Sequence, residues 1–156
     1  MSSLFRRAVM DEIDAFIDTD DVIVLHGARQ VGKTCILRYL QDQLKSRGDT
    51  THFIDLEDSR YVRILDAGVD AFLKHLEEEG VSSPATGRKV FVLIDEVQYL
   101  SDPSSFLKLV ADHHRGIKLV VSGSSSFAMK TKFKDSLVGM RNTLQPAMPK
   151  RLIPPP

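Results

Sequence analysis

The sequence predicts an α/β domain of three layers, α/β/α, built on a mainly parallel sheet, and two patterns point there. Three short apolar runs, at residues 22–25, 90–94 and 117–121, occur without polar alternation, which is how strands covered on both faces read. Stretches of helical periodicity separate them, as the crossovers between parallel strands require. At 156 residues the chain has about the length of one domain and can bury a core without a disulfide or metal staple.

Taken in order, Leu4, Phe5, Ala8, Val9, Ile13, Phe16 and Ile17 recur at helical spacing among arginines and acids, so an amphipathic helix opens the chain. Residues 22–25 form a β-branched run that enters His26-Gly27, the pattern of a buried strand ending in a glycine turn. A helix follows from Lys33 with an apolar stripe of Ile36, Leu37, Leu40 and Leu44, and Gly48 stands where a C-terminal glycine cap falls. The second strand covers residues 52–56. Val69, Phe72, Leu73 and Leu76 mark another helix, and the serines, Pro84 and Gly87 of residues 80–89 form a surface loop. Residues 90–94 give the third strand. Asp102-Pro103 is a cap-plus-proline start for a helix with Phe106, Leu109, Val110 and His113 on one face, closed by Gly116. Residues 117–121 are the fourth strand. Past Gly139 no period of either kind remains, and Pro146, Pro149 and Pro154 to Pro156 mark residues 140–156 as a disordered, proline-rich tail.

Lysine and arginine total 21, as do aspartate and glutamate, so no general basic excess draws the chain to nucleic acid. The one cysteine, Cys35, cannot close an intramolecular disulfide, and no charged segment with a long apolar run opens the chain. The apolar runs are strand-sized, far short of the roughly 20 residues a membrane helix needs. A soluble, cytoplasmic protein is the expectation.

Gly27-Ala28-Arg29-Gln30-Val31-Gly32-Lys33-Thr34 fits G-x-x-x-x-G-K-[ST] between a strand and a helix, the context that pattern needs to bind phosphate. Phosphate oxygens call for several donors converging from one side. The glycines let the backbone turn its N–H groups inward, and the helix N-terminus adds its positive dipole end. Lys33 is expected to reach the β- and γ-phosphates as a point charge, Thr34 to ligate Mg²⁺, and the Cys35 backbone N–H to touch the α-phosphate. Arg29 has two open readings, a phosphate contact or a solvated loop arginine.

The third strand ends in Asp95-Glu96, and in an open parallel sheet ligands gather at the carboxyl ends of the strands, the edge where the glycine loop also ends. Asp95 is expected to hold Mg²⁺ through its water shell opposite Thr34. Glu96 is expected to orient and deprotonate the attacking water, a role that hydrolysis needs and binding alone does not. A P-loop kinase has no use for a water-activating glutamate directly after the metal aspartate, so the pair favours an NTPase. The lack of an N-K-x-D segment favours adenine over guanine.

Ser122-Gly123-Ser124-Ser125-Ser126 should land beside the acidic pair if the fourth strand neighbours the third. Ser122 and Ser124 are candidates for sensing the γ-phosphate, with Ser125 in reserve; the other reading is a turn that caps the next element. Phe127 stands where a nucleophile elbow needs glycine. His113 and His114 project about 100° apart on a helix and cannot share a metal. His26, Asp55, Glu57 and Asp58 are assigned no chemistry.

As a set these residues resemble the prokaryotic AAA-type P-loop ATPases, of the AAA+ superfamily, that usually carry a C-terminal domain of unknown function. The loop from Gly27 to Thr34 resembles their G-[PA]-R-Q-V-G-K-T. Ile94-Asp95-Glu96-Val97-Gln98-Tyr99 resembles their I-D-E-[IV]-Q segment, Val121 to Ser126 their sensor strand, and Lys134-Asp135-Ser136-Leu137-Val138-Gly139 the stretch before a family arginine. The resemblance spans about residues 1–139, taken as the ATPase domain. It implies a P-loop NTPase fold with strand order 5-1-4-3-2, a metal aspartate on the third strand, and ATP hydrolysis with Mg²⁺.

The family pattern continues with arginine, a fifth strand and a P-L-S-F-like motif. This chain reads Met140-Arg141-Asn142 and then the proline-rich end, which puts Arg141 one place late for the family arginine. The chain thus resembles a truncated or frameshifted member whose first strand is left as an uncovered sheet edge. Besides an ATPase, two other functions fit: a module that binds ATP without turnover, and an ATPase subunit acting with DNA or a partner protein. Further copies of the chain or a protein partner are the expected associates.

Overall fold

The computed structural model of the chain describes residues 3–27, 32–81 and 88–124. Helix α1 is Ser3–Phe16, followed by strand β1 at Ile23–Gly27 and helix α2 at Lys33–Ser46. Strand β2, Thr50–Asp55, leads to helices α3, Ser59–Asp66, and α4, Val69–Glu78. Strand β3 is Val90–Asp95. A 3-10 turn at Val97–Tyr99, helix α5 at Pro103–His113 and strand β4 at Ile117–Ser124 complete the described order.

The strands lie in the order β1-β4-β3-β2, and every neighbouring pair is parallel. This is the expected order over the four strands described. Among the described residues β1 pairs with β4 alone, and the segment from which a fifth strand would come lies outside them. The all-apolar run of β3 is explained by its central place, since each of its residues is buried. Helices α1 and α2 pack on each other, α2 runs across all four strands, and α4 joins α3 and α5 in a second group. The result is the α/β/α sandwich of P-loop NTPases.

Several element boundaries differ from the sequence expectation. Strand β1 begins later and runs to Gly27, β2 starts two residues early at Thr50, and β4 continues through Ser122 and Gly123 to Ser124. The serine segment is therefore strand over its first part, because pairing with β1 carries the ladder from Val121 on to Ser124 opposite Gly27. Helix α3 has no counterpart in that expectation. Its signal was present: Asp58 caps it by accepting from the Arg60 N–H at 3.0 Å, and the Arg60 guanidinium holds the Asp58 carboxyl down at about 2. Helix α5 starts as read, with Asp102 accepting from Ser105 N–H at 3.1 Å ahead of Pro103, but ends at His113 rather than at Gly116. Gly48 stands at φ 92 just past α2, and its N–H reaches Lys45 O while Asp49 N–H returns to Leu44 O.

Ile94, Val120, Leu93 and Ile36 are all fully buried, and each such side chain contributes roughly 1.5–3 kcal/mol. The exposed pairs around Asp20, to Lys89 at 2.6 Å and Arg115 at 2.8 Å, are each worth about 0–1 kcal/mol. Burial on both sheet faces outweighs the ion pairs. One polar tie is different in kind. Lys118 on β4 is buried, and its ammonium donates to Phe16 O and Thr19 O at 2.8 Å each, to Thr19 Oγ1 and to Asp21 O, closing the C-terminal end of α1. Burial pushes this ammonium down to about 8, the nearby Lys89 charge acts the same way, and Asp21, Asp20 and Asp18 oppose them. Among the described residues no helix is long and apolar enough to cross a membrane.

Candidate functional site

The site is assembled at the carboxyl edge of the sheet. Strand β1 delivers the chain to Gly27, and residues Ala28, Arg29, Gln30 and Val31 lie outside the described residues. The chain re-enters at Gly32, whose φ of 75 sits in the left-handed region that only glycine takes without strain, directly before α2. Lys33 follows as the first residue of α2 and is buried, whereas Thr34 and Cys35 face outward.

From the neighbouring strands, β3 brings Asp95 to the same edge. The Thr34 hydroxyl donates to Asp95 Oδ2 at 2.6 Å, which joins the loop-helix segment to the third strand across 61 residues of sequence. On the other side of that carboxylate, the Ser122 hydroxyl of β4 donates to Asp95 Oδ1. Asp95 itself is 4% exposed and Ser122 is fully buried. A carboxylate so deep needs donors on both oxygens, and the two hydroxyls supply them.

Ser122 thereby departs from its expected role. Its hydroxyl also accepts from the Glu96 backbone N–H at 3.0 Å, so it sits behind the acidic pair and braces it rather than facing a phosphate. The reason is register: β4 is in the sheet as far as Ser124, and Ser122 falls between β1 and β3. Ser124, two residues on, lies at the open end of the strand, opposite Gly27. Ser125 and Arg141 lie outside the described residues.

Glu96 has φ 62 and ψ 51, the one non-glycine residue at positive φ among those described. That conformation costs an L-residue about 1–2 kcal/mol, and such strain gathers where a side chain must be aimed. The structure holds it at both ends. Ser122 takes the backbone N–H, and Gln98 Nε2 donates to Glu96 Oε1 at 2.5 Å. Gln98 Oε1 in turn accepts from Ser124 N–H at 3.2 Å. Sequence reasoning gave Gln98 no role. The available signal was an amide two places beyond the acid, between Val97 and Tyr99.

Thr34 and Asp95 are hard oxygen donors of the kind Mg²⁺ takes. Thr34 would ligate the ion directly, and Asp95, which accepts from that hydroxyl at 2.6 Å, would hold it through its water shell. Among the described residues no three His, Cys, Asp or Glu side chains gather as a metal site. An ion at this pair would fill its shell from phosphate and water, as Mg²⁺ commonly does. The cleft lined by Asp18, Arg47, Asp49, Arg88, Lys89 and Phe91 lies at the opposite edge of the sheet. Arg47 and Arg88 are already paired to Asp49 there, at 2.5 and 2.9 Å.

The first turn of α2 is hydrogen-bonded to the acid that ends a central strand, and a family model described as an AAA domain matches residues 19–147. The chain belongs to this AAA domain family. An uncharacterised protein of Haemophilus influenzae is 28% identical over 98 residues, which make up 61% of this AAA domain chain and 23% of that protein. AMPPCP-bound DnaA from Aquifex aeolicus superposes with a TM-score of 0.55 at 15% identity, over 91% of this chain and 45% of DnaA. PCH-2 from C. elegans gives 0.51 at 19% identity, over 88% of this chain and 38% of that one. At those identities the two structures speak for the P-loop NTPase fold. The chain spans about a quarter of the length of the curated relative and under half of each solved chain.

Proposed function

We propose that this AAA domain binds ATP with Mg²⁺ and hydrolyses it to ADP and phosphate. The observation that carries the reading is the 2.6 Å bond from Thr34 to Asp95, because it sets a metal-ligating hydroxyl of the phosphate loop against the strand-end carboxylate with Glu96 as the next residue. Gly27 to Thr34 bind the triphosphate, with the Cys35 N–H at the α-phosphate and Lys33 on the β- and γ-phosphates. Thr34 and Asp95 would hold the Mg²⁺, which when bound neutralises charge on the phosphate oxygens. Glu96 accepts the proton of a water whose oxygen bonds to the γ-phosphorus as the bond to the β-phosphate oxygen breaks. Ser124, at the open end of β4, and Arg141 complete the proposed set as groups that stabilise charge on the transferred phosphoryl. That DnaA was solved with AMPPCP supports an adenine nucleotide.

We place residues 1–139 as the unit that does this work and the cytoplasm as its compartment. Balanced charge favours a protein partner or further copies of the chain over DNA as the load. The test is steady-state ATP hydrolysis alongside equilibrium nucleotide binding. Lys33→Ala should lose both; Glu96→Gln should keep binding and lose about 10²–10⁴-fold in turnover. If both variants hydrolyse at the parent rate, the assignment is wrong. If the parent binds ATP and turns over none, the chain is a binding module instead.

A further inference from the structure

We infer that Gln98 is the positioning residue of this site, an amide tie that locks the Glu96 carboxylate to the end of β4 where the phosphate loop begins. The inference rests on Glu96 being the group that activates water.

Donor and acceptor chemistry fixes the direction of the tie. Ser124 presents a backbone N–H, which can only donate, so the oxygen of the Gln98 amide must face it, at 3.2 Å. The amide nitrogen is then turned to Glu96, whose ionised carboxylate can only accept, at 2.5 Å. One side chain must therefore donate at one end and accept at the other. An amide does both. A carboxylate could keep only the Ser124 end, and an ammonium only the Glu96 end.

The far end of the tie reaches the entry of the phosphate loop. Ser124 is the β1-facing partner of Gly27, the last residue of β1 before the phosphate loop. Glu96 is thus linked through Gln98 and Ser124 to the entry of that loop, while its backbone is fixed to the same strand by Ser122. Both anchors of the strained residue lie on β4, so the glutamate and the loop entrance keep one spacing. Aiming matters at this level, because a misplacement of about 1 Å costs on the order of 10²-fold in rate.

The full chain carrying Gln98→Ala or Gln98→Glu tests this, with three readouts: kcat and KM for ATP, the urea midpoint, and hydrogen exchange at the Ser124 amide. Gln98→Ala should lower kcat by roughly tenfold to a hundredfold with KM within about twofold, and speed Ser124 exchange by about tenfold. Gln98→Glu should lower kcat at least as far while leaving Ser124 protected, since its carboxylate still accepts from that N–H but faces Glu96 with like charge. On a Glu96→Gln background neither change should reduce turnover further. The proposal is overturned by an unchanged kcat in Gln98→Ala, by kcat, KM and midpoint falling together, or by losses that add to that of Glu96→Gln. If the parent shows no turnover above Lys33→Ala, the proposed function fails first. The tie is then judged on exchange alone, where an unaltered Ser124 rate in Gln98→Ala overturns it.

Discussion

Truncating Ser122 to alanine separates two roles that the same serine could have. In the structure its hydroxyl is fully buried, donates to Asp95 Oδ1 and accepts from the Glu96 N–H at 3.0 Å. The bond to the carboxylate is charge-assisted and worth about 1.5–3 kcal/mol; the neutral one from the amide adds about 0.5–1.5 kcal/mol. Loss of one oxygen opens little space, so Ser122→Ala should cost about 2–4 kcal/mol, a large part of the roughly 5–15 kcal/mol that keeps a domain folded. With a urea slope of about 1–3 kcal/mol per molar for a small protein, the unfolding midpoint should fall by on the order of 1–2 M. Turnover should fall as well, since Glu96 at φ 62 loses the acceptor on its N–H and can relax. A sensor of the γ-phosphate behaves otherwise: its removal slows hydrolysis and leaves the midpoint of the nucleotide-free protein alone. A loss of stability below about 0.5 kcal/mol, with turnover reduced, would refute the bracing role and return Ser122 to the sensing one.

Two further tests address the frame of the site. On the edge strand β2, His52 faces His75 of α4 with their Nε2 atoms 3.1 Å apart, and Tyr61 of α3 stacks edge-on against His75. Burial, and next the His75 charge, hold the His52 imidazole below its ordinary 6.5, against the pull of Glu79. The unfolded chain then binds the proton more readily than the folded one, so this contribution is complete above 6.5 and is lost as pH falls below it. Urea midpoints from about pH 7.5 to about pH 5 should decline, His52→Gln should flatten the decline, and an equal slope in that variant would show that the pair is not its source. Lys118→Met keeps the stem but strips the carbonyls of Phe16, Thr19 and Asp21 of their donor, and the midpoint should record a loss of about 2–4 kcal/mol; a change under about 1 kcal/mol would mean water serves those carbonyls instead.

The sheet and the glycine turn into α2 are legible in the sequence because they depend on local rules. Unbroken apolar runs report strands buried on two faces, and residues 90–94 read that way because β3 is central. Glycine before Lys33-Thr34 reports a left-handed turn into a helix, and Gly32 takes φ 75 there. Asp102-Pro103 marked the start of α5 for the same reason, a cap and a fixed φ within one turn. Helix α3 is not legible because eight residues offer little more than two turns of period, and its cap, Asp58, follows the end of β2 so closely that its signal does not stand apart.

What the sequence alone determined is that the glycine turn before Lys33-Thr34 and the acids Asp95-Glu96 belong to one edge of a parallel sheet. What tertiary structure decided is how they brace one another. Thr34 meets Asp95 from 61 positions away, Ser122 turns inward to hold that acid and the Glu96 amide, and Gln98 spans from Glu96 to Ser124. The bonds of Ser122 and Ser124 have no period to announce them, because they depend on the register in which β4 lies between β1 and β3. Register is fixed by packing of the whole sheet, and a shift of one residue would turn Ser122 to the other face.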